Sequence, residues 1–199
     1  MSNRIEKLFE ESISVKKEIL SSNVLESLEL IGNQIVDSML KGNKLMLCGN
    51  GGSAADAQHL AAELLVRLRP NFNRKGIPAI SLAQDTSTLT ACGNDFGYQH
   101  IFSRNLEALG NKGDCLLCIT TSGNSENIIL AMEEAKKNDI KTFAFLGGDG
   151  GKCIDLCDNF FLVPSSSTGR IQESHITAGH ALMEYIEDAL LEKKFISLK

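Results

Sequence analysis

The sequence predicts an α/β protein: a doubly wound, five-stranded parallel sheet flanked by helices, with helices added at the N-terminus. Three observations predict it. After residue 43, short apolar runs alternate with helical stretches, which is the rhythm of βαβ units. The runs are continuously apolar, as strands covered on both faces must be. Two of the strand-to-helix turns are rich in Gly, Ser and Thr, a composition that suits loops at the carboxyl edge of such a sheet.

The elements follow in order. Ile5, Leu8, Phe9 and Ile13 recur at helical spacing over residues 3–20. Leu25, Leu28, Ile31, Ile35, Met39 and Leu40 do the same over 24–41, with Ser22-Asn23 as a cap between the helices and Gly42-Asn43 as a stop. The strands are expected at Lys44–Cys48, Ile77–Leu82, Asp114–Ile119, Lys141–Leu146 and Asn159–Val163. Helical patterns lie near 53–69, 86–92, 98–109, 125–138 and 150–156, and a last helix runs over 170–194. The 199 residues read as one domain, with 1–43 a helical extension and 44–199 the α/β core.

Composition narrows the function. The apolar fraction is 43% and the charged fraction 23%, which is ordinary for a soluble chain. A net charge of −5 supplies no basic field for nucleic acid or an anionic membrane. No apolar run approaches the ~18 residues of a membrane span. The first segment is studded with acids and lacks a signal-peptide cleavage site, so a cytoplasmic location is expected. The six cysteines then read as reduced thiols. Cys115 and Cys118 have CxxC spacing on a strand, where they point to opposite faces and cannot easily share a metal.

Two turns read as anion cradles. Cys48-Gly-Asn-Gly-Gly-Ser53 follows a strand and opens a helix; it matches neither a dinucleotide fingerprint nor a Walker loop. Ile119-Thr-Thr-Ser-Gly-Asn-Ser125 does likewise, with hydroxyls at Thr120, Thr121, Ser122 and Ser125. Helix N-terminal amides and hydroxyls together suit a phosphomonoester without a lysine.

Two helices carry polar ridges. Asp56, His59, Glu63 and Arg67 fall on one ridge of the helix after the first turn, and His59 and Glu63 at i, i+4 suit joint chelation. Alone, that ridge reads as a solvated face with weak ion pairs. On the last helix His175 falls on the apolar stripe and reads as a packed residue, whereas His180 projects away from it among Glu173, Glu184 and Glu187. At ~100° per residue, Glu173 lies about 20° and Gln172 about 80° from His180, so spacing pairs Glu173 with it. His100 has no comparable partner.

Taken together, the motif from Cys48 to Leu64, Asn94-Asp-Phe-Gly, Thr121-Ser-Gly-Asn-Ser125, and Arg170-Ile-Gln-Glu-Ser-His-Ile followed by His180 resemble, in order, those of the bacterial phosphoheptose isomerases of the sugar isomerase (SIS) fold. The resemblance spans nearly the whole chain; Thr120 stands where serine is common. It implies a homotetramer built with the N-terminal helices. It also implies one zinc per subunit on His59, Glu63, Gln172 and His180, and thus prefers Gln172 to Glu173. Substrate contacts are implied for Asn50, Gly51, Gly52, Ser53, Glu63, Asn94, Asp95, Thr120, Thr121, Ser122, Ser125 and Gln172. The implied reaction converts sedoheptulose 7-phosphate to D-glycero-D-manno-heptose 7-phosphate, the first step toward ADP-heptose for the lipopolysaccharide core. It proceeds through an enediol(ate), with Glu63 as base and His180 as partner acid/base. The competing reading is a non-catalytic tetramer of the same fold that binds the replication initiator or senses a sugar phosphate. The presence of both Glu63 and His180 favours the enzyme, because proton transfer requires such a pair.

Overall fold

The computed structural model describes residues 2–198. In chain order the elements are α1 (Ser2–Leu20), α2 (Val24–Leu40), β1 (Leu45–Gly49), α3 (Gly52–Leu65), β2 (Ala79–Ser81) and α4 (Thr86–Asp95). After a 3-10 turn at Tyr98–His100 come α5 (Ile101–Leu109), β3 (Cys115–Ile119), α6 (Glu126–Lys137) and β4 (Lys141–Gly147). A second 3-10 turn at Gly151–Asp155 precedes β5 (Asn159–Val163) and α7 (Thr168–Glu192). The five strands are all parallel, in the order β2-β1-β3-β4-β5.

Strand alternation divides the apolar residues between two cores. Leu45, Leu47, Cys115, Leu117, Phe143 and Phe145 face α2, α3 and α7. Met46, Cys48, Leu116, Cys118, Ala144 and Leu146 face α5 and α6. The two cysteines of the CxxC stretch therefore lie in different cores, as a period of two requires. Residues of α2, including the fully buried Ile31, Ile35 and Met39, are continuous with the first core. The outer face of α1 behaves differently: Ile5, Leu8, Phe9 and Ile13 are exposed.

Two predicted helix ends are corrected. The pattern over 53–69 ends as a helix at Leu65, so Arg67 is not on the ridge of Asp56, His59 and Glu63. The cause is tertiary. Arg74, buried at 5% exposure, donates from Nη2 to Glu63 O and from Nη1 to Leu64 O, both at 2.9 Å. Ile77 N also reaches Leu64 O. These donors take carbonyls that a further helical turn would have used. Conversely, α4 runs three residues past its expected end at 92, and carries Asn94 and Asp95 in its last turn.

Candidate active site

The strand order places the site. β1 and β3 are neighbours, and Gly49 pairs with Ile119, so the turns after them leave the sheet side by side. The helices that follow pack on opposite faces: Leu60 and Leu64 of α3 join one core, Ile128 and Ala131 of α6 the other. The turns diverge and open a crevice at the switch point, where open α/β sheets bind ligands.

Each turn is shaped by glycine. Gly51 has φ +55°, and a Cβ on Gly49 would lie 2.5 Å from Ser53 O. Gly123 has φ +62° and packs against Gly150, whose carbonyl oxygen would stand 1.9 Å from any added Cβ. Neither Gly51 nor Ser125 caps its helix with a side chain; Ser53 N, Ala54 N and Ile128 N turn back to the carbonyls of Asn50, Gly51 and Ser125, which leaves the N–H groups of Gly52, Glu126 and Asn127 open to an external acceptor.

The predicted hydroxyls differ in role. Thr120 is buried and its Oγ1 accepts from Gly123 N at 3.3 Å. Ser53 is buried beneath the first turn. Thr121 and the exposed Ser122 line a cavity of about 180 Å³, shared with the loops at Gly147–Asp149 and Ser165–Ser166. Ser125 is half-buried. Asn94 and Asp95 are exposed and hydrogen-bond to each other at 2.7 Å.

The ridges of α3 and α7 meet. His59 Nε2 lies 2.8 Å from His180 Nε2 and 3.3 Å from Glu63 Oε1. One ligand atom from each of the three lies within 4.8 Å of the others. Two imidazole nitrogens facing each other at this distance need a proton or a cation between them, since bare lone pairs repel. Two imidazoles and a carboxylate form a donor set that can hold a metal ion. The solvated-face reading of the His59 ridge is thus replaced by a three-residue cluster.

Gln172 and Glu173 separate in the structure. Glu173 pairs with Arg170, not with His180 as ideal spacing suggested. The Gln172 amide lies against Gly52, tying the start of α7 to the first turn. It also stands beside the side chain of Asp56. Burial pushes the Asp56 carboxyl above its ordinary range, against the opposing pull of Gln172, His59 and His180. Glu187, placed by spacing near His180, instead binds the buried Arg74 and Arg69. His175 is fully buried and donates from Nε2 to Leu146 O at 3.0 Å, a packed residue as its stripe position predicted.

Sequence reasoning missed Asn127, Tyr98 and Arg74. Asn127 and Tyr98 bond to Asn50, and Arg74 ends α3 just past Glu63. None sits in a distinctive local pattern, because each acts through a partner many residues away.

The SIS domain family model matches residues 8–147. A protein of Aneurinibacillus thermoaerophilus named phosphoheptose isomerase is 46% identical over 200 aligned residues that cover both chains fully. One of the same name from Leptospira biflexa is 50% identical, covering 94% of this chain and 95% of its own. The solved structure of phosphoheptose isomerase from Neisseria gonorrhoeae superposes with a TM-score of 0.88 at 39% identity, covering 94% of this chain and 98% of that one. With its crevice between two glycine-shaped turns and its His–Glu–His cluster, the chain belongs to the phosphoheptose isomerase family of SIS-domain proteins.

Proposed function

We propose that this chain is an aldose–ketose isomerase that converts sedoheptulose 7-phosphate to D-glycero-D-manno-heptose 7-phosphate, supplying the path to ADP-heptose. The observation that carries the reading is the convergence of His59, Glu63 and His180 from two helices beside the crevice. The family relationship supplies the substrate class.

The open N–H groups of α3 and α6, with Thr121, Ser122 and Ser125, bind the phosphate. Asn94 and Asp95 meet the sugar hydroxyls. Glu63 takes the proton from C1 of the opened ketose and returns it to C2. One of its carboxylate oxygens faces His59, and the other is left for the proton. His180 donates to O2 as that carbonyl becomes a hydroxyl and accepts from O1 as the new carbonyl forms. His59, Glu63, Gln172 and His180 would hold one zinc per subunit, a donor set within the range zinc accepts. Bound there, the metal supplies Lewis acidity for the carbonyl and for the developing enediolate charge.

The assembly is a homotetramer in the cytoplasm. Exposed Ile5, Leu8, Phe9 and Ile13 on α1 support association, as does an apolar cleft between α2 and α7 lined by Leu25, Leu28, Leu182 and Tyr185. Among the described residues no helix is long and apolar enough to cross a membrane. The test is aldose formation from sedoheptulose 7-phosphate by Glu63→Gln and His180→Ala, together with zinc content. Each variant is expected to lose about 10²–10⁴ in turnover. Near-normal rates in both would overturn the assignment.

A further inference from the structure

The side chain of Asn50 joins the first turn, the start of α6 and the 3-10 turn after α4 at the carboxyl edge of the sheet. Its Nδ2 donates to Asn127 Oδ1 at 2.8 Å, and Asn127 Nδ2 donates back to Asn50 Oδ1 at 2.8 Å. Tyr98 Oη donates to that same Asn50 oxygen at 2.9 Å. Asn50 belongs to the first turn, Asn127 to the first turn of α6 after the second cradle, and Tyr98 to the segment that follows Asn94 and Asp95. The two amides form a closed pair. Both lone pairs of Asn50 Oδ1 are taken, and a single N–H of its Nδ2 remains. This oxygen is therefore closed to a substrate hydroxyl. Asn127 is 2% exposed, so its amide must keep both bonds or carry the desolvation penalty of a buried polar group. Tyr98 is 63% exposed, and its hydroxyl makes its side-chain hydrogen bond to this joint.

We infer that Asn127 and Tyr98 are positioning residues of the phosphate site. Asn127 locks the first turn to α6, so that the open amides of α3 and α6 address one anion from fixed directions. Tyr98 brings the segment after α4 to the same joint. The ligand class is a phosphomonoester, and the residues act through Asn50 rather than by touching it. The turnover part of the test rests on the isomerase reading, whereas the phosphate part does not.

The experiment compares the wild-type chain with Asn127→Ala, Tyr98→Phe and the double variant Asn50→Ala/Asn127→Ala. The Michaelis constant for sedoheptulose 7-phosphate is measured, and so is the inorganic phosphate concentration that half-maximally raises Tm. Asn127→Ala is expected to raise both about tenfold with kcat held within about threefold, the pattern of lost binding shared by ground and transition states. Tyr98→Phe, an exposed change that leaves the fold intact, shifts both the same way by about threefold, as one hydrogen bond would. The double variant goes beyond Asn127→Ala by at least the Tyr98→Phe shift, because it also removes the oxygen that Tyr98 binds, whereas the Asn50–Asn127 pair itself is lost only once. The latch is overturned if phosphate fails to stabilise the wild-type chain. It is equally overturned if folded Asn127→Ala and Tyr98→Phe keep wild-type KM and phosphate dependence, or lose kcat alone. If Asn127→Ala does not fold, Tyr98→Phe decides by the same criteria. A wild-type chain stabilised by phosphate but unable to turn over sedoheptulose 7-phosphate sinks only the isomerase reading, and the phosphate comparison still decides the latch.

Discussion

Gly52 is glycine for a reason its backbone does not reveal. A Cβ there would stand 2.3 Å from Nε2 of Gln172. Alanine favours a helix by about 1 kcal/mol over glycine, so Gly52→Ala should leave Tm unchanged or raised. It should also push the Gln172 amide out of place. The expected result is zinc affinity weakened about tenfold or more, the scale of a lost or misplaced supporting contact, as read by calorimetric titration. Wild-type affinity in a folded Gly52→Ala protein would remove Gln172 from the ligand set. His175 supports a second prediction at this scale. Burial, partly opposed by its bond to Leu146 O, brings its pKa down to about 4 from an ordinary 6.5. Its Nδ1 is buried without a partner, so the neutral ring is the folded form. Between those two values the unfolded chain takes up a proton that the folded chain refuses. Stability therefore falls as pH drops from about 6.5 to about 4, by roughly 3 kcal/mol from this group, and is unaffected above that window. Urea melts across pH should show the slope, and His175→Gln should flatten it. An equal slope in both proteins refutes the assignment. The role of His175 was legible in sequence because a helical stripe reports which face is buried. That of His180 came only through the family resemblance and not from its helical position, because its partners lie on another helix and 121 residues away.

At the scale of elements, α3 and α7 are the carriers of the cluster, and a buried ion pair fixes how they lie together. Glu187 sits two turns beyond His180 and is fully buried. It accepts from Arg74 and from Arg69, the latter through Nε at 2.6 Å. Arg74 in turn holds the carbonyls that end α3 immediately after Glu63. Removing one partner of a buried pair strands the other, at about 3–5 kcal/mol. Arg74→Met should approach that loss in chemical denaturation, and adding Glu187→Gln should recover part of it by removing the stranded charge. A loss below about 1 kcal/mol would mean that Arg69 alone satisfies Glu187. This is also where sequence reading stopped short. Helical spacing placed Asp56, His59 and Glu63 on one ridge, but extended it to Arg67. The stop comes from a guanidinium nine residues downstream of Leu65, which no local stop signal announces. Ideal angles likewise favoured Glu173 over Gln172, because angles on one helix take no account of Arg170 claiming Glu173 or of Gly52 making room for Gln172.

At the scale of the whole molecule, the doubly wound parallel sheet was legible, since alternating apolar runs and helices imply one with ligand turns at its carboxyl edge, whereas the order β2-β1-β3-β4-β5 depends on which strands pair across the fold. How the chain completes its surface belongs to the proposed tetramer. Ile5, Phe9 and Ile13 recur every four residues on α1 with exposures of 66%, 69% and 52%, and Leu8 widens the stripe. A contiguous apolar stripe of that kind marks a surface that another chain covers. The stripe also connects to the site. Arg170, two residues before Gln172, donates from Nη1 to the Leu8 carbonyl, so the start of α7 is fastened to α1. The double variant Phe9→Asp/Ile13→Asp places two charges on the stripe while sparing the inward face that holds Ile19. Sedimentation should then show a smaller assembly than the wild-type chain forms. Isomerase activity should fall by more than the stability loss accounts for, since a loosened α1 frees Arg170 and with it the register of Gln172. An assembly of unchanged mass would exclude this stripe from the interface. A dissociated but fully active variant would instead show that each subunit completes its own site without support from α1.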